Sequence, residues 1–150
     1  MKNFNKLLMS AVLFSGFSTA AQAQVTVKEA WVRATVPQQK ASGAFMQISS
    51  VKDVKLVEVR SPVAGIAELH KMEMNNNIMK MRPVDSMDLP AGKIVDLKPG
   101  AYHVMLMDLK SQIKDGDIVP LTLVLENKDK KRETVEVKAI AKPLNQAVHH

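Results

Sequence analysis

Two histidines and two methionines stand in this 150-residue chain at a spacing that could hold a soft metal ion: His70, Met81, His103 and Met105, or H-x10-M-x21-H-x-M. Each of these histidines is also followed two positions on by a methionine, His70 by Met72 and His103 by Met105. On a β-strand, residues i and i+2 point to the same side, so each pair presents an imidazole and a thioether together. Neutral imidazoles with thioethers and no thiolate favour Cu(I), whereas zinc and iron sites draw on Cys, carboxylates or further histidines. The chain has no cysteine. Outside the cytoplasm thiolates oxidise readily, and methionine offers sulfur without disulfide formation. Methionine is also a flexible core filler, but packing gives no reason for it to follow both internal histidines by two. Met46 and Met87 lack this relationship and read as core or loop residues. The terminal pair His149-His150 reads equally as an accessory Cu(II) site or as the remnant of an affinity tag.

The elements that must position these residues are strands. In Tyr102–Leu109 one face carries His103, Met105 and Met107, while Tyr102, Val104 and Leu106 supply a core face. In Ala67–Met74 one face carries His70, Met72 and Met74, and the other the charged Lys71 and Glu73. Asn75-Asn76-Asn77 then turns the chain, since Asn tolerates the left-handed conformation of tight hairpins. A two-residue loop at Asn76-Asn77 would set Met74 opposite Met79, Met72 opposite Met81, and Met81 diagonal to His70. A three-residue loop would shift the register and break this arrangement.

The same alternation runs through the rest of the chain, with no helical periodicity beyond the first residues. Candidate strands are Val25–Val32, Gly43–Ser50, Lys55–Arg60, Ile66–Met74, Ile78–Arg82, Ile94–Leu97, Tyr102–Leu109, Ile118–Asn127 and Arg132–Ala141. Val119, Leu121, Leu123 and Leu125 form a core stripe, with Pro120, Thr122 and Glu126 on a wet face. So many short strands predict an all-β sandwich or barrel, because one flat sheet would leave a face and two edges uncovered.

Residues 1–23 predict a cleaved secretory leader: Lys2 and Lys6 are basic, Leu7 to about Phe17 is apolar, and Ala21-Gln22-Ala23 offers an exit site. The apolar run is too short to span a bilayer, no second one follows, and without a cysteine no lipid anchor is expected. The expected mature chain is a single domain over residues 24–142 with a loose tail over 143–150, exported to the periplasm. Without Lys2 and Lys6 the formal charge drops from +6 to +4. The basic run Lys128-Asp129-Lys130-Lys131-Arg132 therefore reads as a solvated hairpin tip, and no nucleic-acid partner is expected. Only Trp31, Phe45 and Tyr102 remain as aromatics after the leader, so aliphatic residues must build the core. A blue-copper electron carrier is excluded by the missing Cys ligand. No nucleophile motif or close carboxylate pair argues for an enzyme.

The chain resembles the periplasmic Cu(A) chaperone family, PCuAC, whose motif H-(M)-x10-M-x21-H-x-M is met by His70, Met81, His103 and Met105 without a gap. The similarity runs from about Val25 to Ala141 and includes Ala30-Trp31-Val32-Arg33 and Ser42-Gly43-Ala44-Phe45-Met46. It implies a cupredoxin-like Greek-key β-sandwich or barrel that binds one Cu(I) near its surface as a monomer. Its implied acceptor is the Cu(A) subunit of cytochrome c oxidase or another copper-transfer protein. Met72, separated from His70 by Lys71, ranks as a supporting ligand. Two other functions fit the same residues: copper sequestration for metal tolerance, and a metal-free module whose Met-rich face docks a partner.

Overall fold

Alternation of apolar and polar side chains carries the chain through ten strands. The computed structural model describes residues 24–143; the predicted leader, most of the tail, and His149 and His150 lie outside the described residues. The strands are β1 (Val25–Arg33), β2 (Ala41–Ser50), β3 (Val54–Arg60), β4 (Ala64–Asn75), β5 (Ile78–Pro83), β6 (Met87–Leu89), β7 (Ile94–Leu97), β8 (His103–Leu109), β9 (Ile118–Asn127) and β10 (Arg132–Lys142). Nine of them fall where the alternation predicts, with no end moved by more than two residues. The tenth, β6, is only Met87-Asp88-Leu89, too short for a periodic signal. Met87 and Leu89 are nonetheless buried and Asp88 exposed, as a strand with one wet face requires.

Hydrogen bonding joins the strands in the order β5-β4-β8-β2-β1-β10-β9-β3-β6, with β7 also on β2. The path turns at β1, which pairs antiparallel with β2 and parallel with β10. The two arms pack face to face. Ala44, Met46, Ile48, Leu69, Val104 and Leu106 from one arm join Leu56, Val59, Leu121, Leu123, Leu125 and Ala139 from the other in a single core. Each fully buried leucine in it contributes about 1.5–3 kcal/mol relative to an exposed position. The outer face of β9 is less wet than its alternation predicts, because Val124 is also buried.

Irregularities in the ladders keep the apolar side chains aimed inward. On β1 the register against β2 shifts between Lys28 and Trp31, where Glu29 adopts a left-handed φ of 54°. On β3 a shift between Leu56 and Glu58 lets Leu56 and Val59, three apart, both face the core. The basic tip between β9 and β10 is ion-paired: Lys128 lies 3.1 Å from Asp53, and Lys130 and Arg132 lie 3.6 and 3.1 Å from Glu126.

The core dictates where the chemistry sits. Leu69, Val104, Leu106 and Ala44 point inward from β4, β8 and β2, so the alternate residues of these strands form the outer face of that arm.

Candidate metal centre

Asn76 and Asn77 have φ values of 51° and 64°, the two left-handed residues of a two-residue hairpin turn. This turn sets the register expected for such a loop: Asn75 opposite Ile78, Met74 opposite Met79, and Met72 opposite Met81. His70 then faces Pro83 and stands diagonal to Met81. On its other side β4 pairs with β8, which brings His70 directly opposite His103 and Glu68 opposite Met105. β8 in turn pairs with β2, placing Gly43 opposite Met105. All five residues singled out in the sequence, His70, Met72, Met81, His103 and Met105, therefore share one face of three adjacent strands.

The side chains converge further. Nε2 of His103 lies 3.1 Å from the sulfur of Met81, and the His70 and His103 rings are 5.8 Å apart between centroids. Met72, Met81, His103 and Met105 line an open cleft of about 550 Å³, whose far side is formed by Arg33, Gly43 and Phe45. His70 does not itself line this cleft; it is buried, with its Nδ1 shielded from solvent and without a hydrogen-bond partner. Among the described residues no three His, Cys, Asp or Glu side chains gather as metal ligands. A metal held here must draw on methionine.

Residues 25–139 match the family model described as "Putative lipoprotein LpqE-like". The fold is similar to the solution structure of Cu(I)-bound DR1885 from Deinococcus radiodurans, at 33% identity and TM-score 0.58 over 84% of each chain. The chain belongs to the LpqE-like family, a PCuAC-type family. The apo PCuAC domain of PmoF1 is similar in fold, with TM-score 0.63 and 24% identity over 80% of this chain and 94% of that one. The Rickettsia prowazekii protein RP573 is 32% identical over 123 residues, which cover 78% of this chain and 68% of its own length. The expected cupredoxin-like architecture is thus the one observed.

Hydrogen bonds orient both imidazoles of this PCuAC domain. The Ala101 carbonyl can only accept, so at 3.2 Å it takes the Nδ1–H of His103 and leaves Nε2 of the neutral ring as a lone pair facing the Met81 sulfur. The same carbonyl accepts from the backbone N–H of Met72 at 3.4 Å, tying β4 to the approach to β8. The carboxylate of Glu68 lies 2.8 Å from Nε2 of His70. In the neutral ring this places the proton on Nε2 and the free lone pair on the buried Nδ1. Burial pushes the His103 pKa below its ordinary value; the Ala101 hydrogen bond opposes this, while the nearby His70 and Arg33 add to it.

An aromatic wall completes the cleft. Trp31 stacks on Phe45 with centroids 4.5 Å apart, Phe45 approaches His103 to 6.2 Å, and the Arg33 guanidinium lies 5.6 Å from the Phe45 centroid. Gly43 makes room for this wall, since a Cβ there would come within 2.9 Å of Cζ of Phe45. None of Glu68, Ala101, Phe45 and Gly43 stands out in the sequence as a site residue. Glu68 could have been found, because it sits two residues before His70 and hence on its face. The Ala101 carbonyl carries no signal in residue type at all.

Proposed function

We propose that this domain is an exported copper chaperone that binds one Cu(I) through His70, Met81, His103 and Met105, with Met72 in support, and hands it to an acceptor. The observation that carries the reading is the 3.1 Å approach of Nε2 of His103 to the Met81 sulfur. With the His103 proton held on Nδ1, two lone pairs confront each other there, an arrangement that a shared soft cation would make favourable. The buried, unpartnered Nδ1 of His70 is a second donor that lacks a proton to accept. The Cu(I)-bound form of the Deinococcus radiodurans relative DR1885 supports the same ion.

The geometry suits transfer as well as binding. His70 and His103 are buried and fixed by hydrogen bonds, whereas Met81 is 48% exposed on edge strand β5. A Cu(I) held here would keep rigid nitrogen donors on the protein side and a flexible sulfur donor toward solvent, where an acceptor's ligands can replace it. No electron or proton has to move, because Cu(I) and the thioethers keep their charge throughout.

Export is supported by the leader-like residues 1–23 and by the lipoprotein description of the family. Among the described residues no helix is long and apolar enough to cross a membrane. The acceptor implied by the family resemblance is the Cu(A) subunit of cytochrome c oxidase. X-ray absorption of the Cu(I) form tests the ligands: at least two sulfur neighbours with nitrogen are expected, and a shell of nitrogen and oxygen alone would refute thioether binding. A deletion strain tests the fate of the metal, since loss of oxidase activity points to delivery and loss of copper tolerance to sequestration.

A further inference from the structure

The β4–β5 hairpin extends past the proposed site, and its tip carries a second pair of thioethers. Met74 and Met79 face each other directly across the two strands, one rung beyond the facing pair Met72 and Met81. Both rungs lie on the face that bears His70 and His103, because the pairs are separated by two residues on each strand. Met74 is 65% exposed and Met79 47%, so neither fills the core. Exposed thioethers are prone to oxidation to the sulfoxide, and a strand surface gives no preference for methionine over Thr or Val. Packing and strand propensity thus leave both residues unexplained.

We propose that Met74 and Met79 form an outer Cu(I) site that receives the ion and passes it inward to the rung Met72/Met81 and then to the histidines. The proposal rests on the inner site described above. Facing residues on antiparallel strands have Cβ atoms about 5 Å apart, and methionine turns about three side-chain bonds, so two sulfurs converge on one ion without backbone movement. The next rung lies about 7 Å further along the strands, within reach of the same side chains. Transfer is ligand exchange: bonds from copper to Met72 and Met81 form as those to Met74 and Met79 break, and copper stays Cu(I). The outer site has two thioethers and no imidazole, so it binds more weakly than the inner one, and the gradient runs inward. The charged side chains of the hairpin, Lys71, Glu73, Lys80 and Arg82, alternate onto the opposite face, where Arg82 pairs with Glu73 at 2.8 Å. The ladder itself is free of fixed charge.

The test is an anaerobic titration of the full chain, labelled at its methionine methyls, with Cu(I) supplied as the acetonitrile complex and followed by methyl NMR. The first equivalent should move the Met81 and Met105 methyls, and further Cu(I) should move those of Met74 and Met79. In M74L/M79L the second event should vanish and the first remain, while loading of the inner site from a Cu(I)–chelator complex slows several-fold. Met74 and Met79 methyls that stay in place under excess Cu(I), or a double variant that loads at the wild-type rate, would overturn the proposal. A failure of the inner site is distinguishable, as Met81 and Met105 methyls unmoved by the first equivalent.

Discussion

A carboxylate oxygen of Glu68 lies 2.8 Å from Nε2 of His70, from the same strand and on the same face two residues earlier. In metal sites such a carboxylate fixes the tautomer of the imidazole and raises the basicity of its other nitrogen, and its loss typically costs about 10- to 100-fold in affinity. Glu68→Gln should therefore leave the fold intact and weaken Cu(I) binding by about 10-fold or more. Competition with a chromophoric Cu(I) chelator measures it. Unchanged affinity would reduce the pair to a surface contact.

Met→Leu substitutions separate ligands from packing. Leucine keeps volume and apolarity, so Met81→Leu and Met105→Leu should change apo stability by less than about 1.5 kcal/mol. Both should abolish most of the rise in Tm that Cu(I) produces by binding the native state. Met46→Leu, at a core position only 2% exposed, should leave that rise unchanged. Retention of the full copper-dependent shift in both site variants would make these methionines packing residues.

Acid should weaken both the fold and the site. Burial holds the His103 pKa below the ordinary 6.5, so the unfolded chain binds more protons than the folded one as pH falls through that value. This contribution to apo stability is complete above about pH 6.5 and is lost progressively on acidification. Cu(I) affinity should fall over the same acidic range, because a protonated imidazole cannot coordinate. The His103 part of that loss should set in below the ordinary histidine value. Melting curves and chelator competition between mildly acidic and neutral pH measure the two effects, and His103→Gln should flatten the His103 part of each.

The space above Gly43 is needed by Phe45. In Gly43→Ala the new Cβ would sit 2.9 Å from Cζ of a ring that is itself packed on Trp31, so the ring must move. Overpacking of this kind costs about 1–3 kcal/mol. A lower Tm and an altered near-ultraviolet circular dichroism of the single tryptophan should report it. A variant that melts with wild-type spectra would show that the wall yields without strain.

Much of this molecule is legible along the chain because its two governing signals are local. Period-two alternation marks nine of ten strands, and the core stripe of β9 is readable from Val119, Leu121, Leu123 and Leu125 alone. Asparagines tolerant of left-handed φ narrow the β4–β5 turn to a two- or three-residue loop, and the two-residue form at Asn76-Asn77 is the one that pairs Met72 with Met81. The i, i+2 spacing likewise commits each His–Met pair to one face, whatever the strand's neighbours.

Tertiary structure alone decided which strands lie side by side. Nothing local says that β8 inserts between β4 and β2, yet that choice brings His70 opposite His103 across 33 residues of sequence. It also decided which nitrogen of each ring is free, through an Ala101 carbonyl and a Glu68 carboxylate that differ from others of their kind only in position. Residue types and spacings determine donor chemistry and facing, because these depend on side-chain identity and on the geometry of one strand. Burial, tautomer and distance between donors depend on pairings distant in sequence, which arise when the two arms close on a common core.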